Sequence, residues 1–129
     1  MLYQINLTNQ EINTLFEKET GFSLTRYEML MFLKDKGTCS QNQIQTELKI
    51  DSAAITRHLK ILEQKGYVIR ERNAENNREV FVQLSDKAIK DLEACGKEHD
   101  QGKSSLSLSL SDEEAEQLSI LLNKLYLQS

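Results

Sequence analysis

The residues best suited to chemistry in this chain lie between Ser40 and Leu84, and they suit contact with a polyanion rather than bond-making. In the run SAAITRHLKILEQ, Ser52, Ala53, Thr56, Arg57 and Lys60 share one side at helical spacing, with Ile55, Leu59 and Leu62 on the other. Small residues at the start let such a helix sit close to base edges. Ala53 and Ala54 offer methyl groups to thymine, and Arg57 offers donors to guanine N7 and O6. Ser52 and Thr56 can reach phosphate or base. Further on, the polar loop NAENN lies between two β-forming runs, with Arg72 before it and Arg78 after it. A narrow minor groove concentrates negative potential and favours an inserted arginine, which is the role open to Arg78. Asn76 and Asn77 can hydrogen-bond phosphate, and Arg72 adds charge. Ser40, Gln41 and Gln43, on the preceding helix, are placed for backbone phosphates. The plain alternative is a solvated helix face, with Arg78 paired to Glu75 or Glu79 in a surface contact worth about 0–1 kcal/mol.

The other reactive side chains form no site. Cys39 precedes a capped helix, where positive potential can activate a thiol, but it also falls where a sheet begins, so a structural thiol is expected. Cys95 and His99 are spaced i, i+4 with Asp91 and Glu98 nearby, a spacing that holds two metal ligands and no more. No metal and no cofactor are expected. His58 lies within the polar helix and suits either DNA contact or packing. No glycine-rich phosphate loop, nucleophile motif or convergent His/acid set is present, so no enzyme is expected.

These residues need elements to carry them. Leu2, Ile5, Ile12 and Phe16 keep helical spacing over 2–19, ending before Gly21. The run LTRYEMLMFLKD predicts a helix over 24–35, with Thr25 and Glu28 as a capping box. Ser40 and Gln43 repeat that pattern and open a short helix to Leu48, with Ile44 and Leu48 inward. Asp51 or Ser52 then caps a helix to about Gln64, ended by Gly66. Val68–Arg72 and Arg78–Leu84 predict a hairpin, with Val80, Val82 and Leu84 on one side. Ser85 or Asp86 caps a polar helix from about Lys87 with Ile89 and Leu92 inward. The run SSLSLSL (104–110) alternates but finds no partner strand, so a helix end or connection is expected. Ser111 and Glu114 cap a final helix striped by Leu118, Leu121, Leu122 and Leu125. Two short helices followed by a hairpin is the layout of a winged helix-turn-helix, whose second helix enters the major groove.

At 129 residues the chain suits one domain with a real core. No apolar run is long enough for a membrane span, and the start MLYQINLTNQE lacks signal-peptide character, so a cytoplasmic protein with free thiols and no membrane partner is expected. The net charge of −4 argues against a generic nucleic-acid binder. Its distribution argues otherwise. Residues 49–78 carry seven basic and four acidic side chains, net +3, against nine basic and 16 acidic elsewhere, net −7. An acidic body limits non-specific DNA contact outside the basic face.

The runs SLTRYEMLMFL, SAAITRHLKILEQKGYVIRER and NNREVFVQLSDKA resemble the MarR family of bacterial winged-helix regulators, from about Leu24 to Ala88. Thr56-Arg57 through Gly66, with the wing, carries most of the likeness. The resemblance implies a mainly α fold with a small β wing (α+β), in which residues 24–86 form the winged part and residues 1–20 and 87–129 the dimerisation helices. It implies an obligate homodimer reading a pseudo-palindromic operator in double-stranded DNA, most often as a repressor, with a small-molecule effector or redox signal for release. There are two departures. The family's wing tripeptide, D-R-R or D-K-R, falls here on Asn76-Asn77-Arg78, so only the last arginine is kept. The N-terminal helix is also shorter than usual. A winged module that has lost DNA binding and serves protein interaction is the rival reading.

Overall fold

The computed structural model describes residues 1–75, 78–100 and 109–127, with residues 95–100 and 126–127 described by backbone alone. In chain order the elements are α1 (Leu2–Thr20), α2 (Leu24–Lys36), β1 (Cys39–Ser40), α3 (Gln41–Leu48), α4 (Ser52–Gln64), β2 (Val68–Arg72), β3 (Val80–Leu84), α5 (Asp86–Asp100) and α6 (Asp112–Leu127). The strands form one antiparallel sheet ordered β1-β3-β2. Cys39 pairs with Val82, and the hairpin runs in register from Val68 opposite Leu84 to Arg72 opposite Val80. The result is a mainly helical winged helix-turn-helix. The third strand, β1, is two residues long, too short to show as alternation in sequence.

One core unites the winged part. Met29, Leu30 and Leu33 of α2 meet Ile44 of α3, Ile55, Leu59 and Leu62 of α4, Val68 and Val82 of the hairpin, and Leu92 of α5. Each such side chain contributes about 1.5–3 kcal/mol when fully buried. The capping chemistry that starts and stops these helices is largely where the residue types put it. Ser40 accepts from the Gln43 N–H at 3.1 Å. Ser111 and Glu114 cap reciprocally: the Ser111 N–H donates to the Glu114 carboxylate at 3.0 Å, the Glu114 N–H donates to Ser111 Oγ at 3.1 Å, and hydrogen bonding from Ser111, its backbone N–H first, holds the Glu114 carboxyl below its ordinary range. Gly66, at φ 77°, follows α4 in the left-handed conformation that suits glycine. Its N–H donates to Glu63 O and that of Tyr67 to Leu62 O, the pair of bonds that closes a helix end and turns the chain into β2. Ser85 caps α5 by accepting from the Ala88 N–H, and its own hydroxyl donates to Gly66 O at 2.6 Å.

Three sequence expectations are corrected. The cap of α2 is Ser23, which accepts from the Arg26 N–H at 3.1 Å, so Thr25 is already inside the helix and its pairing with Glu28 is not the cap. Strand β3 begins at Val80, because the turn extends through Arg78. On α5 the inward residues are Ala88 and Leu92, while Ile89 is 39% exposed. The N-terminal stripe is covered only at its end: Phe16 is buried and Ile12 half-buried, but Leu2 is 69% exposed. Cys95, His99 and most of SSLSLSL fall outside the described side chains.

A ladder of aromatic rings ties the terminal helix to the wing's base. Phe16 of α1 packs edge-on against Tyr27 of α2 at 5.1 Å, Phe22 bridges to Tyr67 at 5.5 Å, and the Lys87 ammonium lies 4.9 Å from the Tyr67 ring centroid. Burial and a hydrogen bond with Asp91 push the Tyr67 phenol up from its ordinary value.

Candidate DNA interface

Helix α4 is amphipathic because its two residue sets are offset by the helical period. Ile55, Leu59 and Leu62 lock it onto the core at 0–1% exposure. That leaves Ser52, Ala53, Thr56, Arg57 and Lys60 exposed together on the opposite side. The turn before it is tight: Lys49 adopts φ 54° and the Ile50 N–H returns to Gln45 O at 3.2 Å. Asp51 occupies the N-cap position without a side-chain capping bond.

The two flanks of α4 are held differently. On the α3 side, the Gln41 Nε2 donates to Thr56 Oγ1 at 3.1 Å, and the Thr56 hydroxyl donates to Ser52 O at 3.1 Å. Thr56 thus spends its hydrogen inside the helix, which turns its methyl group into its external contact. Ser40 is buried as the cap of α3, and Gln43 is exposed beside Gln41. On the other flank, Arg26 Nη1 lies 3.4 Å from His58 Nδ1. Burial first, then Arg26 and Arg57, hold the His58 pKa below its ordinary 6.5. A neutral ring with Nδ1 accepting is the state that fits this contact.

The wing is anchored to α4 by a two-pronged ion pair. Arg70 Nη2 and Nε meet the Glu63 carboxylate at 2.9 and 3.2 Å, which draws Glu63 below the ordinary carboxylate range. Arg70 is therefore structural, although its charge counts toward the basic segment. The wing's loop is pinned by Asn73: its N–H donates to Glu79 O at 2.8 Å, its amide to the Glu79 carboxylate, and its Oδ1 accepts from the Glu75 N–H. Asparagine was readable in sequence as a turn residue, but not this role as the loop's clasp. Arg72 and Arg78 stand exposed on the wing. Asn76 and Asn77 lie outside the described residues. Cys39 is buried and its thiol pKa is raised by that burial, as expected of a structural thiol. Among the described residues no cluster of three metal-ligating side chains occurs, and no helix is long and apolar enough to cross a membrane.

The MarR family model matches residues 22–80. An uncharacterized HTH-type transcriptional regulator of Bacillus subtilis, YdgJ, is 40% identical over 114 residues, covering 88% of this chain and 70% of its own length. MgrA, an HTH-type transcriptional regulator of Staphylococcus aureus, is 32% identical over 87% of this chain and 74% of its own. The structure matches a probable transcriptional regulator from Pseudomonas aeruginosa with a TM-score of 0.82 at 27% identity, over 97% of this chain and 96% of that one. It matches a MarR mutant from E. coli complexed with operator DNA with a TM-score of 0.81 at 24% identity, over 95% and 91% of the two chains. The fold is thus that of winged-helix DNA-binding regulators. The chain belongs to the MarR family: it is a transcriptional regulator and not an enzyme.

Proposed function

We propose that this regulator binds a pseudo-palindromic operator as a homodimer, most often to repress, with residues 24–86 reading DNA and residues 1–20 and 87–129 pairing the two copies. The observation that carries the reading is the outer face of α4. Its residues are exposed together while the inner face is locked to the core. In this reading Ala53 and the Thr56 methyl meet thymine, Arg57 reads guanine, and Ser52 and Lys60 flank them. Gln41 and Gln43 hold the phosphate backbone on the α3 side, with Gln41 also fixing Thr56; Ser40, expected beside them, is buried as the cap of α3 and acts only by starting that helix. Arg72, Arg78 and the loop asparagines 76 and 77 carry the wing to the minor groove.

Pairing is supported by the uncovered leucines of α6, with Leu118, Leu121, Leu122 and Leu125 between 42% and 60% exposed. A monomer leaving such a stripe in water is the exception among soluble proteins. An effector acting between the terminal helices and the winged part would change the spacing of the two recognition helices, which must sit about 34–36 Å apart. The aromatic ladder from Phe16 to Tyr67 couples those parts. Structural neighbours include BpsR, described with regulation of DNA binding by 6-hydroxynicotinic acid, and AbfR bound to DNA in overoxidized form. They support a small molecule or an oxidant as the signal. For the oxidant, buried Cys39 is a poor sensor here. The rival, a protein-interaction module without DNA binding, rests on the acidic pI of 5.2 and on a wing that keeps only the last arginine of the family's tripeptide.

The test is selection from a random duplex library at two salt concentrations, with Arg57→Ala and Arg78→Ala alongside the wild type. Enrichment of a palindrome, weakened by salt and by either substitution, supports the reading. A folded protein that enriches nothing, with and without candidate effectors, transfers it to the rival.

A further inference from the structure

An α-helix with its side chains is about 10–12 Å across, and the major groove is about 12 Å wide. A helix seated there has a phosphate strand along each flank. On α4 the flank toward α3 carries Thr56 with Gln41 beside it, the side to which the DNA-binding reading assigns backbone contacts. The opposite flank, defined by Ala54, His58 and Ile61, is half-buried against the body of the domain. There a residue from outside the helix-turn-helix comes alongside: Arg26, in the first turn of α2, whose Nη1 lies 3.4 Å from His58 Nδ1. Arg57 lies next to the same ring. Both cations act on His58, and no carboxylate contributes there. Among the described residues neither Arg26 nor Arg57 takes part in an ion pair. Two guanidinium groups beside a neutral imidazole on one half-open edge, with no ion pair to a carboxylate among the described residues, form a seat suited to an anion.

We propose that Arg26, oriented by His58 and flanked by Arg57, grips a backbone phosphate of the DNA strand that borders α4 on the side away from α3. His58 takes one guanidinium N–H and leaves the other edge of the fork for the phosphate oxygens. Arginine suits this work because its planar donors match two phosphate oxygens at once. Arg26 thus balances the Gln41 side, and the recognition helix is held from both strands. The contact is blind to sequence, since phosphates carry no base identity. The proposal rests on the DNA-binding reading above.

The experiment is a titration of wild type, Arg26→Ala and Arg26→Lys against the selected operator and a scrambled duplex over a series of salt concentrations, with melting curves for each protein. Arg26→Ala is expected to weaken both duplexes by a similar factor, and to lower the slope of log affinity against log salt by about one for each protomer bound. Arg26→Lys, which keeps the charge, retains the slope. His58→Phe, which removes the acceptor, reproduces part of the affinity loss, while His58→Gln, which restores one, recovers it. A wild-type slope in Arg26→Ala, a loss confined to the operator, or a loss that only follows a lowered melting temperature overturns the proposal and leaves the operator reading standing. So does stabilisation by inorganic phosphate that needs Arg26 while the operator slope does not change. Wild-type protein that binds neither duplex removes the operator reading itself.

Discussion

The winged part and the terminal helices treat their leucines in opposite ways. In the winged part, Leu30, Leu33, Leu59 and Leu62 are at most 2% exposed, and the polar edge is clasped by named hydrogen bonds. In α6, Leu121 is 60% exposed, and in α1 Leu2 is 69% exposed, although both helices also carry apolar residues at helical spacing, less sharply segregated than in α4. The same periodicity therefore has two meanings. Where a second element of the chain supplies the facing surface, the stripe becomes core. Where none does, it is a surface awaiting a partner, and in a MarR-family chain a second copy is the partner we propose.

Breaking the covered stripe has the largest expected effect. Leu59→Ala leaves a cavity among α2, α4 and the sheet, and a loss of about 2–5 kcal/mol in unfolding free energy is expected from denaturant titration. A loss below 1 kcal/mol would mean the core is looser than its burial suggests. The uncovered stripe should respond in the opposite manner. Leu121→Glu is expected to leave the folded winged part intact. By two-fold symmetry it removes two leucines from the dimer, so dissociation should strengthen by on the order of 100-fold or more, read by sedimentation. Unchanged self-association would take α6 out of the interface.

Most of the architecture was legible in sequence because helix ends are marked by local chemistry. Ser40, Ser111, Gly66 and Ser85 each sit where a hydroxyl or a missing side chain satisfies the backbone, and each does so. The misplaced cap shows the limit. Ser23 and Thr25 are two residues apart and either can cap, and only the chain's entry from Gly21 decides between them. The outward face of α4 was legible from its period alone. What could not be read was who holds whom across the fold: Gln41 to Thr56, Glu63 to Arg70, Arg26 to His58. Those contacts join residues 7 to 32 positions apart, and nothing in local spacing encodes them.

Smaller effects sharpen the contrast within the winged part. Gly66→Ala forces a side chain into φ 77°, and a loss of about 1–2 kcal/mol is expected by thermal melting. A neutral result would show that the turn can relax. His58 makes stability depend on pH with a defined sign. Its folded pKa lies below the ordinary 6.5, so the unfolded chain binds the extra proton first as pH falls. The protein is then unpenalised above 6.5 and loses stability as pH drops through that value, levelling off below the folded pKa. His58→Gln should flatten this part of the profile, and an unaltered profile would assign it to other groups. Glu63→Gln breaks the half-exposed clasp on Arg70, with an expected cost of about 0–1 kcal/mol.

The link between the two regions is tested most directly by the stoichiometry of the protein on its selected DNA. Sedimentation would compare the full palindrome with a single half-site, for wild type and Leu121→Glu. We expect two copies on the palindrome, far tighter than one on the half-site, with the variant holding both duplexes equally weakly. One copy bound to the palindrome at full affinity, or a variant indistinguishable from wild type, would contradict the account.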